Sequence, residues 1–314
     1  MHFTGEQVLE RGLRILKFDC NEQIARGNEF CWTMFRAACA SPPEAVAQLW
    51  RDLVDTHIAE ARLTESEKSH NGLKMLLLAH CELWTCPRSA ALVQAHFAPV
   101  AVNETRGEPL WKWIRKTHAL LPAKAFWPDS LNDPEEPGFV ATVDGVDCRI
   151  WEKRDHPNFP LDEKLCSHKF NHAALKHEIA VAVHEDKIVW VNGPWMGSKH
   201  DLAVLREGQA DGSGSLLDLI VEGKMTVADR GCRTSNRAEL KKIAFKRNDD
   251  QPALKKFKAR ATCRHETVNA RLKQFRCLSD TFRHGEDKQE AAFKAVCVIV
   301  QCHLDMDVGV LHEV

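Results

Sequence analysis

The stretch Lys224-Met225-Thr226-Val227-Ala228-Asp229-Arg230-Gly231 is a short apolar run of β type that ends in an aspartate at a glycine turn. Val143-Asp144-Gly145 repeats the pattern after the apolar residues that begin at Phe139. A third stretch, Arg264-His265-Glu266 followed by Asn269 and Lys273, sets a glutamate inside a basic helical pattern. Each has an ordinary explanation when taken singly. An Asp beside Gly after a strand is most often a turn residue, and a Glu in a Lys/Arg-rich helix is most often an i,i+4 partner on a solvated face. Together they form a three-carboxylate set suited to hard divalent cations. Two such ions held about 3.5–4 Å apart activate a water or hydroxyl and steady the leaving oxygen of a phosphodiester.

Outward from these stretches, the chain changes texture twice. From Phe3 to about Leu121 apolar residues recur at helical spacing, as in Val46, Leu49, Trp50, Leu53 and Val54. The expected helices include Leu73–Trp84, Arg88–Phe97 after a break at Cys86-Pro87, and Pro109–Leu120. These suit a helix-turn-helix in which Trp111, Lys112, Trp113, Arg115, Lys116 and His118 meet DNA. They suit equally a plain helical bundle with its tryptophans in the core. Pro122, Pro128, Pro134 and Pro137 mark a connector. The expected organisation is therefore a helical region over 1–121, a linker over 122–137, and an α/β domain over 138–314.

Beyond the connector the pattern becomes strand-like. Phe139–Val143 and Cys148–Trp151 flank Asp144-Gly145, His177–His184 alternates, and Ile188–Val191 follows a turn. Asp201–Arg206 starts a helix with Asp201 placed as its N-cap. Lys224–Ala228 and Ala244–Lys246 are further strands, and helices over about Leu254–Leu278 and Asp287–Asp305 close the chain. Three strands, helix, strand, helix, strand and long helix is the order of a ribonuclease H-like mixed sheet flanked by helices. In that order the ends of the first and fourth strands lie side by side, so Asp144 and Asp229 approach although 85 positions separate them. On the long helix Glu266, Asn269, Ala270 and Lys273 share one face while Val268, Leu272 and Phe275 share the other.

Charge distribution says more than the net charge of −1. Between Lys224 and His284 there are 17 Lys and Arg against 6 Asp and Glu, which leaves the rest of the chain strongly acidic. Such asymmetry is the footprint expected of a phosphate-facing surface, or of a solvated basic helix. Arg230, Arg264 and Lys273 are candidates for positioning a nucleic-acid backbone, and Lys255, Lys256, Lys258 and Arg260 for holding flanking DNA. Lys241-Lys242 and Lys255–Arg260 also suit nuclear import. The 12 cysteines show no Cys-x2-Cys pair, so we read them as small buried hydrophobes of a reduced setting. No run of eighteen apolar residues and no basic-then-apolar leader is present, so no membrane span is expected. Tyr is absent altogether.

The segment from Gly138 onward resembles a DDE superfamily endonuclease of the PIF/Harbinger transposase type. The likeness rests on Val143-Asp144-Gly145-Val146, Ser167-His168-Lys169-Phe170-Asn171, Val191-Asn192-Gly193-Pro194, Gly197-Ser198-Lys199-His200-Asp201, Ala228-Asp229-Arg230-Gly231 and Arg264-His265-Glu266-Thr267-Val268-Asn269. A weaker likeness runs through Leu49-Trp50 and Trp127-Pro128-Asp129. The 37 positions from Asp229 to Glu266 suit the family's last interval. The resemblance implies Asp144, Asp229 and Glu266 as catalytic and metal-holding residues, two Mg²⁺ or Mn²⁺ ions, DNA as substrate, and strand transfer by the freed 3′ hydroxyl as a further step. It also implies a separate DNA-binding partner protein, with homo-oligomers and a transposable-element origin in view. Asp201 competes for the second position, but N-capping explains it without catalysis. Cys232, Cys166 and His177 stand where the likeness leads one to expect Tyr. Those departures bear on turnover rather than fold, and they keep a second reading open: a domesticated DNA-binding protein, derived from a transposase, that no longer cuts.

Overall fold

The structure is a computed structural model and describes residues 1–15, 28–85, 108–133, 138–151, 162–167, 169–208 and 214–306. Its contacts divide the described chain into two compact units, Met1–Lys124 with 272–306, and Ala125–Arg271. The change near residue 124 falls where the prolines begin. The last helix, which the sequence pattern groups with the strands, belongs to the helical unit.

In the helical unit, α1 (Gly5–Ile15), α2 (Asn28–Cys39), α3 (Pro43–Asp55), α4 (His70–Thr85), α5 (Glu108–Ala119) and α6 (Leu121–Lys124) are followed, after the strand unit, by α10 (Arg276–Ser279) and α11 (Glu286–Leu304). The core holds Trp50, Phe35, Leu73, Ile114 and Phe293, all fully buried. Trp113 stacks on Trp50 with ring centroids 6.2 Å apart. The basic residues of α5 are also engaged internally: Lys116 is buried and donates to the Arg62 carbonyl at 2.5 Å, Lys112 pairs with Glu67 at 2.7 Å, and Arg115 pairs with Glu108 at 2.8 Å. Helix α5 is thus a core helix, its Trp111 and Trp113 both buried. The expected helix Arg88–Phe97 lies outside the described residues. Eight of the ten described cysteines are buried, as their reading as small hydrophobes anticipates.

The strand unit is a ribonuclease H-like α/β fold. Its strands are β1 (Phe139–Arg149), β2 (Cys166–Ser167), β3 (His172–Ala182), β4 (Ile188–Met196), β5 (Met225–Ala228) and β6 (Ile243–Ala244). The sheet runs β2-β3-β1-β5-β6, with β4 also on β3. β1, β3 and β4 are antiparallel neighbours, and β5 and β6 run parallel to β1. Helices α7 (Asp201–Arg206) and α8 (Leu216–Leu219) cover one side, where Val140, Ala180, Trp190, Leu205, Leu216 and Ile220 share a core. On the other side α9 (Pro252–Gln274) lies along the sheet, with Ala261 and Phe257 against Val183, Val227 and Phe139.

Two sequence expectations change. Asp144-Gly145 is not a turn: β1 passes straight through it, with Asp144 opposite Ile179 and Gly145 opposite Glu178. The reversal comes later, because the partner on that side is β3 rather than Cys148–Trp151. Nor is there an α-helix between β5 and β6, only 3₁₀ turns at Arg230–Cys232 and Glu239–Lys241. Side chains there compete for the backbone: Thr234 Oγ1 accepts from the Asn236 amide at 3.0 Å and Asn236 Oδ1 from the Ala238 amide at 2.9 Å.

Two basic residues of α9 fasten it to the sheet. Arg264, expected at a phosphate, is 4 % exposed and donates to the Glu185 carbonyl at 2.8 Å and to Asp186 Oδ1 at 3.0 Å, holding the β3–β4 turn. Lys258, expected on flanking DNA, is likewise buried and donates to the Phe245 carbonyl at 2.8 Å and to Asp250. Both side chains are buried and engaged in contacts within the chain, so these cations serve the fold. Removing a buried cation strands its acceptors. Arg264→Ala is expected to lower stability by about 1–3 kcal/mol in a urea melt, whereas Lys255→Ala and Lys256→Ala, at exposed positions, stay within about 0.5 kcal/mol of wild type.

Candidate active site

β5 pairs with β1 only as far as Val143 opposite Ala228. The next residue on each strand is an aspartate, Asp144 continuing in β1 and Asp229 leaving β5 for the turn. Helix α9 passes this point, and Asp144, Asp229 and Glu266 all line one cleft of roughly 420 Å³, with Thr142, Lys246, Thr262 and His265 also in its wall. All three expected carboxylates therefore reach one place. Glu266 is exposed and Asp144 half-buried.

Asp144 is held on both oxygens. The Gly145 amide donates to Oδ1 at 2.8 Å, and Asn269 Nδ2 donates to Oδ2 at 3.0 Å. Thr142, two residues earlier and so on the same face, meets His265 Nδ1 through Oγ1 at 2.8 Å. Burial pushes the Asp144 carboxyl up to about 6, with the nearby charges of Asp229 and Asp201 adding to it and the Gly145 amide and Lys169 opposing. Burial also holds the His265 imidazole down to about 4, in the neutral form at ordinary pH, and its Nε2 has no hydrogen-bond partner among the described residues.

A second acidic group stands behind the first. Asp201 is the first residue of α7, but the N-cap position is His200 and neither side chain caps the helix. The expected N-cap role of Asp201 is replaced by an ion pair, in which Lys176 Nζ donates to Oδ1 at 2.7 Å. Its carboxylate packs against Gly231 so closely that a Cβ there would come within 2.3 Å of Oδ2. That approach explains the glycine two positions after Asp229. Glu178, opposite Gly145, is 1 % exposed, and its carboxyl is pushed well above the usual range by burial and then by Asp201. Sequence patterning offers no signal for Glu178, which reads there as one more polar residue of an alternating strand. Cys232, where the family likeness expects Tyr, is buried in the core beneath α7 and α8. Burial and then the carboxylates of Glu178, Asp201, Asp144 and Asp229 push its thiol up.

Lys255, Lys256 and Arg260 are exposed on α9. Lys273, two turns beyond Glu266, donates to the Leu278 carbonyl at 3.1 Å within the helical unit. Arg230 lies in the turn after β5, and its side chain is outside the described residues.

Among the described residues, no three His, Cys, Asp or Glu side chains are grouped as ligands of one ion. The fit to a divalent cation is one of donor chemistry and electrostatics: three carboxylates line the cleft, and one is destabilised by burial beside others of its sign. No helix among the described residues is long and apolar enough to cross a membrane.

No curated protein and no solved structure matches the chain. A family model does: residues 143–301, from the strand that carries Asp144 into the last turn of α11, match the family described as DDE superfamily endonuclease. With half of its length so matched, and with a ribonuclease H-like sheet, the chain belongs to the DDE superfamily endonucleases.

Proposed function

We propose that the protein is a transposase-type nuclease of the PIF/Harbinger kind that hydrolyses phosphodiester bonds of DNA. The observation that carries this reading is the common cleft of Asp144, Asp229 and Glu266, delivered by β1, β5 and α9. Asp144, Asp229 and Glu266 would hold two Mg²⁺ or Mn²⁺ ions. Bound there, the ions supply an activated water and neutralise charge on the leaving 3′ oxygen. Asn269 and the Gly145 amide fix the Asp144 carboxylate, so its oxygens are oriented before substrate arrives. Lys176 neutralises Asp201, which leaves Asp229 as the second ligand we favour. The exposed Lys255, Lys256 and Arg260 are the residues for duplex backbone on either side, and the same basic group suits nuclear import.

The test is nicking of supercoiled plasmid with Mg²⁺ or Mn²⁺. Wild type is expected to nick, EDTA to stop it, and Asp144→Ala, Asp229→Ala and Glu266→Ala each to reduce it to the level of a mock preparation. If Asp201→Ala abolishes cutting while Asp229→Ala spares it, the assignment of the second ligand is wrong. If wild type binds duplex without nicking it under any divalent cation, the chain is a DNA-binding derivative that no longer cuts.

Stability offers a separate check on Asp144. Its folded carboxyl titrates at about 6 against an ordinary 3.8, so its charge costs stability fully above about pH 6, and the cost fades as pH falls toward 3.8. Asp144→Asn can keep the Gly145 contact, and Asn269 can turn its Oδ1, which has no partner among the described residues, to the new amide. The variant is expected to be more stable than wild type at pH 7.5 by on the order of 1–2 kcal/mol, with the difference vanishing below about pH 4. Loss of stability at pH 7.5 would contradict this.

A further inference from the structure

The pairing of β5 with β6 sets Thr226 opposite Ile243 and Val227 opposite Ala244. Two residues past those pairs come Asp229 on one strand and Lys246 on the other, both at the carboxyl end of the parallel strands. Lys246 lines the cleft with Asp144, Asp229 and Glu266. It is exposed, and among the described residues it makes no hydrogen bond or ion pair. The backbone that carries it is anchored from beneath, because Lys258 donates to the carbonyl of Phe245 and to Asp250. Other basic residues near the cleft are engaged elsewhere: Arg264 holds the β3–β4 turn, and Lys176 holds Asp201. Lys169, whose charge Asp144 feels, is not in the cleft wall.

A lysine in the wall of a cleft lined by three carboxylates, with none of them bound to it among the described residues, is held in reserve for a ligand of the same sign as those carboxylates. A phosphate anchored at the cleft supplies it. We infer that Lys246 binds a non-bridging oxygen of the DNA phosphate that enters the cleft, making it a substrate-contacting catalytic residue rather than part of the general basic surface. The inference rests on the nuclease reading above and deepens it. Lysine suits the task as a compact point charge on a flexible stem, able to follow the phosphate without ordering a second oxygen.

The test pairs single-turnover plasmid nicking in Mn²⁺ with anisotropy of a labelled mixed-sequence duplex in EDTA across a salt series, for wild type, Lys246→Ala, Lys246→Arg and Lys255→Ala. Melting temperatures should match, since Lys246 makes no hydrogen bond or ion pair among the described residues. If wild type nicks, Lys246→Ala is expected to slow the step by about 10²-fold, Lys246→Arg to recover most of the loss, and Lys255→Ala to weaken duplex binding. Cutting by Lys246→Ala at the wild-type rate would overturn the inference. If wild type does not nick, the nuclease reading fails but Lys246 is still read by binding. A salt slope shallower by about one for Lys246→Ala supports the phosphate contact, and an unchanged slope overturns it.

Discussion

A carboxylate in the middle of a strand sets the terms for the strand unit. Asp144 sits where β1 still has β3 on one side but has lost β5 on the other, so one flank of the strand is open at that residue. The cost of keeping a partly buried charge there is offset only in part by the Gly145 amide and Asn269, and the neighbouring carboxylates add to it. Much of the local structure follows from that crowding. Lys176 neutralises Asp201, Gly231 has no Cβ so that Asp201 can come close, and burial pushes the Glu178 carboxyl well above its usual range. An arrangement that gathers like charges instead of dispersing them is poor for stability and good for holding cations.

The basic segment divides into two populations that charge counting cannot separate. Lys258 and Arg264 point inward and hold the helix to the turns at the sheet's edge, whereas Lys255, Lys256 and Arg260 stay in solvent. Tertiary partners make the division: Lys258 meets the Phe245 carbonyl and Asp250, and Arg264 meets the Glu185 carbonyl and Asp186. A buried cation still counts toward net charge, yet it cannot release counterions from a phosphate backbone.

Much of the fold was legible because its signals are local. The strand β5 ending at Asp229, the α7 start near Asp201, and the long helix with Glu266 and Asn269 opposite Val268 all appear at the expected positions. The errors have physical sources as well. Asp144-Gly145 carries turn chemistry, but cross-strand pairing overrode it; Asp201 carries N-cap chemistry, but an ammonium from another strand claimed its carboxylate. The tryptophans of α5 fitted core and groove equally well until their burial was seen. Glu178 and Lys246 were not visible in the pattern, because each gains meaning only from the strand beside it.

The most direct measurement is anomalous diffraction from crystals soaked in Mn²⁺, which locates the cations without relying on turnover. The account expects two peaks within coordinating distance of Asp144, Asp229 and Glu266, with Asn269 still on Asp144. Peaks confined to Asp201 and Glu178, or none in the cleft at saturating Mn²⁺, would contradict it.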